Sequence, residues 1–110
     1  MIIVRPFDRS DLEDVIAGLP ARAPEMHRRR LEQHERGEAV WFIAWFEGRA
    51  IGFVGVSTEN DRDVDEILES RGYALVEDLF VEEAYRRRGA ARALMDALEK
   101  VARDAGMQKQ

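Results

Sequence analysis

Residues 74–106 read ALVEDLFV, then EEAYRRRGAA, then RALMDALEKVARDAG. The first eight are mostly apolar with a β-branched and aromatic bias, which predicts a buried strand, and the last segment has helical spacing. Between them lies Arg86-Arg87-Arg88-Gly89-Ala90-Ala91. A strand that empties through a small-residue turn into a helix aims open backbone N–H groups and the positive end of the helix dipole at one spot beyond the strand. That spot suits an anion. Gly89, Ala90 and Ala91 lack the side chains that would hold a phosphate off the backbone, and the neighbouring arginines add full charges.

Working outward, Ala39–Phe46 (AVWFIAWF) is apolar at both alternating sets of positions, as a strand covered on two faces must be. Glu47-Gly48 marks a turn, and Ala50–Ser57 returns as the second strand of a hairpin. Gly52 and Gly55 within it predict a bulge or a close approach by a neighbouring helix. Ile2-Ile3-Val4, stopped by Pro6, predicts a first strand. Ser10 and Glu13 have capping-box spacing ahead of Leu12, Val15, Ile16 and Leu19, a short helix with one apolar face. A second helix is expected from Pro24 to Gly37. Its apolar side is thin, Met26 and Leu31 helped by His27 and His34. With no third ligand beside them, the two histidines read as a half-exposed helix stripe rather than a metal or base site.

Residues 58–72 are acidic, with Asp61, Asp63, Asp65, Glu66 and Glu69. They read as a solvated connection or, functionally, as a rim that concentrates a cationic substrate. The final helix, expected from about Arg87 to Ala105, carries Leu94, Leu98 and Val101 on one side and charged pairs such as Glu99 with Arg103 on the other.

At 110 residues the chain suffices for one domain, read as 1–110. A charged fraction of 35% beside 45% hydrophobic residues indicates a globular fold. The absence of cysteine removes disulfides and thiolate chemistry, which fits a reducing cytoplasm. No apolar run reaches the ~20 residues that span a bilayer. A net charge of −5, with arginines only in short clusters, argues against a general nucleic-acid binder.

Leu79-Phe80-Val81, then Tyr85, then Arg86-x-x-Gly89-x-Ala91 followed by Ala93-Leu94, resembles the acyl-CoA-binding motif of the GNAT superfamily of N-acetyltransferases. That motif runs Arg or Gln, two residues, Gly, one residue, then Gly or Ala. The order strand, helix, helix, strand, strand, strand, helix resembles the opening two-thirds of the same fold, and WFEGRAIGFVGV resembles its second and third strands. Ala91 stands where a second glycine is commoner, and Glu83 where proline is frequent.

The resemblance implies an α/β fold with an α+β mixed sheet, cut short after the motif helix. The domain is therefore expected to be C-terminally incomplete, lacking a further strand, a helix and a hairpin. It implies acetyl-CoA as co-substrate and a small-molecule amine or a protein amino group as acceptor, with no metal, nucleic acid or membrane partner. By resemblance, the backbone of Leu79, Phe80 and Val81 pairs with the pantetheine arm, and Arg87, Arg88, Gly89, Ala90, Ala91 and Arg92 hold the pyrophosphate. Acetyl transfer also needs a base for a protonated amine. Glu77, in a Glu-Asp pair similar to that of diamine acetyltransferases, is the candidate; the alternative is that it caps or pairs with an arginine. The family's usual tyrosine acid comes from the missing part, and neither Tyr73 nor Tyr85 takes its place. An apolar strand 74–81 with an unpaired edge further implies a homodimer, pairing with another chain, or a fragment of a longer protein. Two other functions compete: a non-catalytic acyl-CoA-binding module, and a structural fragment that only dimerises.

Overall fold

The hairpin at the centre of the sheet consists of β2, Ala39–Phe46, and β3, Arg49–Ser57. Glu47 and Gly48 join them with φ of 50° and 80°, the pair of positive values that matches a two-residue turn to strand twist. The computed structural model describes residues 1–57 and 76–108. The acidic stretch 58–72, Tyr73 and the anticipated strand start at Ala74-Leu75 lie outside the described residues.

β1 (Ile2–Pro6) pairs with β2 and β4 (Val76–Val81) with β3, giving the order β1-β2-β3-β4. All pairings among the described residues are antiparallel. One face carries Trp41, Ile43, Trp45 and Phe53 against Val15, Leu19 and Leu31, contributed by α1 (Leu12–Gly18), the residue after it and α2 (Pro24–Glu35). The other carries Phe42, Ala44, Ile51 and Val54 against Ala90, Leu94, Met95 and Leu98 of α3 (Ala90–Gln108). Each large apolar side chain buried in these two layers contributes about 1.5–3 kcal/mol, which is why β2 has no polar face.

One local expectation is corrected. The capping side chain is Asp8, not Ser10, and it caps the 3₁₀ turn Arg9–Asp11 that leads into α1: extended at φ −116° and ψ 150°, it accepts from the Ser10 N–H at 3.0 Å, while Asp11 ahead of α1 makes no side-chain cap bond. Ser10 lies inside that turn and so cannot stand outside the helix as a cap must. Of the two alternatives for Gly52 and Gly55, the bulge holds: the β2–β3 register shifts between Ala44, opposite Gly52, and Trp45, and the β3–β4 register shifts between Gly55 and Val56. A Cβ at Gly55 would overlap the indole ring of Trp41, directly opposite on β2, and one at Gly52 would come within 2.7 Å of the Phe80 carbonyl on β4.

His27 is a core residue at 2% exposure rather than part of a half-exposed stripe. Its Nε2 lies 2.9 Å from the Leu19 carbonyl and its ring meets Phe53 edge-on, so it fills the gap that α2's thin apolar side would leave. His34 Nδ1 accepts the Trp41 N–H at 2.9 Å. Among the described residues no group of three or more His, Cys, Asp or Glu could hold a metal ion. Burial holds both imidazoles below the usual histidine range; for His27 the Leu19 carbonyl opposes this while Arg30 and Arg22 reinforce it, and for His34 Glu35 opposes it.

Because both are depressed, the unfolded chain takes up protons at a higher pH than the folded one. The stability they confer is complete above the ordinary histidine value of about 6.5 and is lost as pH falls from there through the folded values. Melting temperature is therefore expected to be level near neutrality and to decline below that point. His34→Gln, whose amide oxygen still takes the Trp41 N–H, should decline less steeply; parallel curves would contradict the assignment. Gly55→Ala should lose roughly 1–3 kcal/mol in urea unfolding because Trp41 has nowhere to move, and unchanged stability would show that it has.

Candidate functional site

β4 keeps its bond to β3 up to Glu82, whose N–H reaches the Ile51 carbonyl at 2.8 Å. A 3₁₀ turn, Glu83–Tyr85, follows, and the chain then doubles back through residues 86–89. Arg87 and Gly89 have φ of 68° and 85°. Two left-handed residues this close together cannot sit inside a helix, so α3 begins at Ala90 instead of near Arg87 as expected. Its first bond runs from the Ala93 N–H to the Gly89 carbonyl at 2.9 Å. The amides of Ala90, Ala91 and Arg92 thus open the helix with no carbonyl four residues back to take them.

These amides border a hollow of about 280 Å³ between Val81 at the end of β4, Tyr85 and the turn at 86–92. Nothing lies within 4 Å of where a Gly89 Cβ would be, so glycine is required there by its φ, and the space it leaves is open. A second hollow of about 420 Å³ shares Ala91 and Arg92 with the first and continues past Leu79 and Met95 toward Glu99. Leu79, Val81, Arg87 and the helix start 89–92 therefore come together on the α3 side of the sheet.

Two of the expected residues stand apart from the hollows. Arg88 leans over the rings of Phe46 and Tyr85, at 5.9 and 5.7 Å. The Phe80 side chain lies on the opposite face, stacked on Phe53 at 5.7 Å. Arg86, the first position of the motif, was not among the expected ligands. Its Nε donates to the Val81 carbonyl at 2.9 Å, and its guanidinium sits 5.7 Å from the Phe80 ring, so it ties the turn to the strand end. The motif's demand for Arg or Gln at that position was the available signal.

Glu77 falls at a break in the β3–β4 ladder: Gly55 pairs with Asp78 and Val56 with Val76, leaving residue 77 without an opposite. The extra residue of such a bulge bends its strand locally. The Glu77 side chain lies outside the described residues. The pairing with arginine considered for Glu77 is made by its neighbour. Asp78 receives Arg22 Nε and Nη2 at 2.8 and 2.9 Å and Arg30 Nη2 at 2.7 Å. Burial would raise the Asp78 carboxyl, but the hydrogen bonds from Arg22 and Arg30 outweigh it and hold it below the usual aspartate range. All three side chains are partly buried, so removing one partner leaves an uncompensated charge in a poorly solvated place. Among the described residues, buried Arg30 Nη1 has no acceptor. Sequence reading could not find this cluster, since its members lie 48 and 56 residues apart.

Comparison with known proteins bears on this geometry. The acetyltransferase (GNAT) family matches residues 9–110. No curated protein matches the sequence. Among solved structures, the ribosomal-protein-alanine N-acetyltransferase of Brucella melitensis biovar Abortus 2308 is similar with a TM-score of 0.68 at 18% identity, over 96% of this chain and 74% of its own. Glucosamine-6-phosphate N-acetyltransferase from Arabidopsis thaliana gives 0.66 at 16% identity, over 94% and 76%. AAC(6')-Iy, solved with the bisubstrate analogue CoA-S-monomethyl-acetylneamine, gives 0.61 at 23% identity, over 99% and 74%. At these identities the likeness to each structure is one of fold. The match of the family over nearly the whole length goes further: the chain belongs to the GNAT acetyltransferase family.

Proposed function

We propose that the protein transfers an acetyl group from acetyl-CoA to a primary amine of a small molecule or a protein. The observation that carries the reading is the junction of β4 and α3, where open helix amides, a left-handed Gly89 and flanking arginines border a hollow at the strand end. Residues 87 and 89–92 fit a diphosphate there. Each charge–dipole contact contributes about 0.3–1 kcal/mol, so several must act together. Leu79, Phe80 and Val81 would offer the outer edge of β4 to the pantetheine arm, since among the described residues β3 is their one neighbouring strand.

Bound acetyl-CoA would supply the activated acyl carbon: as the C–N bond to the amine forms, the C–S bond breaks and the CoA sulfur leaves as thiolate, protonated to the free thiol by the proton the amine gives up. The Glu77 carboxylate takes the proton that leaves a free amine able to attack, and a backbone N–H near Val81 is available to the carbonyl oxygen as negative charge develops on it. The acceptor is an amine, as in two relatives whose names specify a ribosomal-protein alanine and glucosamine-6-phosphate. We place the reaction in a reducing cytoplasm and the remaining open margin of β4 against a second copy or another chain.

The test combines CoA titration with release of free thiol in the presence of an amine panel. Wild type is expected to bind CoA and to turn over at least one amine. Gly89→Val should weaken CoA binding at least about tenfold, because a β-branched residue is strained at positive φ and its side chain enters the hollow. Glu77→Gln should lower kcat about 10²–10⁴-fold with CoA binding retained. Binding without thiol release for any amine would indicate a non-catalytic acyl-CoA module. No binding at millimolar CoA would overturn both readings.

A further inference from the structure

We infer that Arg22, Asp78 and Arg30 form a positioning device that fixes β4, one residue past its bulge, against the segment leading from α1 into α2. The inference rests on the acetyltransfer reading and concerns how the two substrates are brought into line. β4 is a six-residue strand with one strand neighbour among the described residues, and its ladder is interrupted at residue 77. The three residues that would carry the thioester arm, Leu79 to Val81, follow immediately. Their placement relative to α2 therefore depends on what holds Asp78 and Phe80 from the helical side.

That hold is rigid. Arg22 grips both Asp78 oxygens in a fork, and Arg30 adds a third bond. The guanidiniums are themselves fixed by core rings: Arg22 lies 5.2 Å from Phe80 and 5.4 Å from Phe53, and Arg30 lies 4.3 Å from Trp41 and 4.9 Å from Phe53. The α1–α2 connection and α2 are thus joined to the distant strand β4 through one carboxylate. Asp78 has both oxygens engaged by cations, so it has no basicity to offer and serves by where it is.

Stability alone accounts poorly for the cluster. Partly buried ion pairs seldom outperform apolar packing, and among the described residues Arg30 Nη1 has no acceptor. Apolar residues cannot, however, fix a strand against a helix with the directionality of a fork. For a transfer reaction that directionality matters, because a misplacement of about 1 Å between reacting groups lowers rate about 100-fold.

Two variants of the full chain test this, Asp78→Asn and Arg22→Gln; the second leaves the Arg30 bond intact should the first not fold. In either, kcat is expected to fall about 10–100-fold while KM for acetyl-CoA and CoA affinity stay within about twofold, since the phosphate-facing turn is untouched. Amides of Leu79 and Val81 should exchange with solvent about tenfold faster in the CoA-bound variant, with α3 amides unchanged. Arg22→Lys, which restores the charge but not the fork, should recover only part of the rate. A folded variant with wild-type kcat and exchange overturns the inference, as does a loss of CoA affinity in step with kcat. A wild type that binds CoA but acetylates no amine sinks the functional reading instead, and the exchange rates then decide the positioning claim by themselves.

Discussion

Trp41 and Gly55 face each other across the central hairpin so closely that one added methyl would overlap the indole ring. This contact lets the largest side chain of the core lie flat over β3, and the helical layer is built on the result: Phe53 meets Trp41 on one side and His27 on another, and Leu31 and Leu19 close over them. The opposite face of the same hairpin is no less apolar, so α3 has a continuous bed from Phe42 to Val56. A sheet buried on two faces can meet solvent or ligand only at its margins and strand ends. Among the described strands those margins are β1 and β4, and the turn into α3 leaves from the end of β4.

At that margin the chain departs from regular structure repeatedly within a few residues. A bulge at residue 77, a 3₁₀ turn, a left-handed arginine and a left-handed glycine lie between the middle of β4 and the first turn of α3. A non-glycine residue at φ 68°, as Arg87 is, persists only where its surroundings over-determine it. Here the Arg86 bond to the Val81 carbonyl on one side and the burial of Ala90 and Leu94 on the other hold the turn from both ends. The irregularity is local, and the elements on either side of it are rigid.

Much of this was legible from residues alone, for identifiable reasons. AVWFIAWF has one reading, a doubly covered strand, because no rotation of it exposes a polar face. The junction 79–92 was legible because its glycine, alanines and arginines each answer a backbone requirement that is local in sequence. The start of α3 was misplaced by three residues because helical spacing ignores sign: nothing in Arg87-Arg88 announces a positive φ. His27 read as half-exposed because its neighbours along α2 are charged, whereas its burial is decided by Phe53 and Leu19 from other elements. The Asp78 cluster was invisible for the same reason at longer range. Local pattern named the carboxylate pair Glu77-Asp78 but could not say which member two distant arginines would claim.

A net charge of −5 would, acting at long range, repel a polyanion such as a diphosphate. At physiological ionic strength charges more than about 8 Å apart are largely screened, so the net figure governs encounters with extended polyanions and has little force inside a small hollow. Within the turn itself Arg86, Arg87, Arg88 and Arg92 gather in seven residues. Their parts differ: Arg88 leans on the Phe46 and Tyr85 rings, whereas Arg86, Arg87 and Arg92 border the hollow beside the helix amides, Arg86 while also bonded to the Val81 carbonyl. A compact diphosphate can reach two cations and several N–H groups at once, whereas a rigid duplex could not bring its backbone into a space of about 280 Å³. The negative net charge and a short cationic turn are thus physically compatible, because they act over different distances.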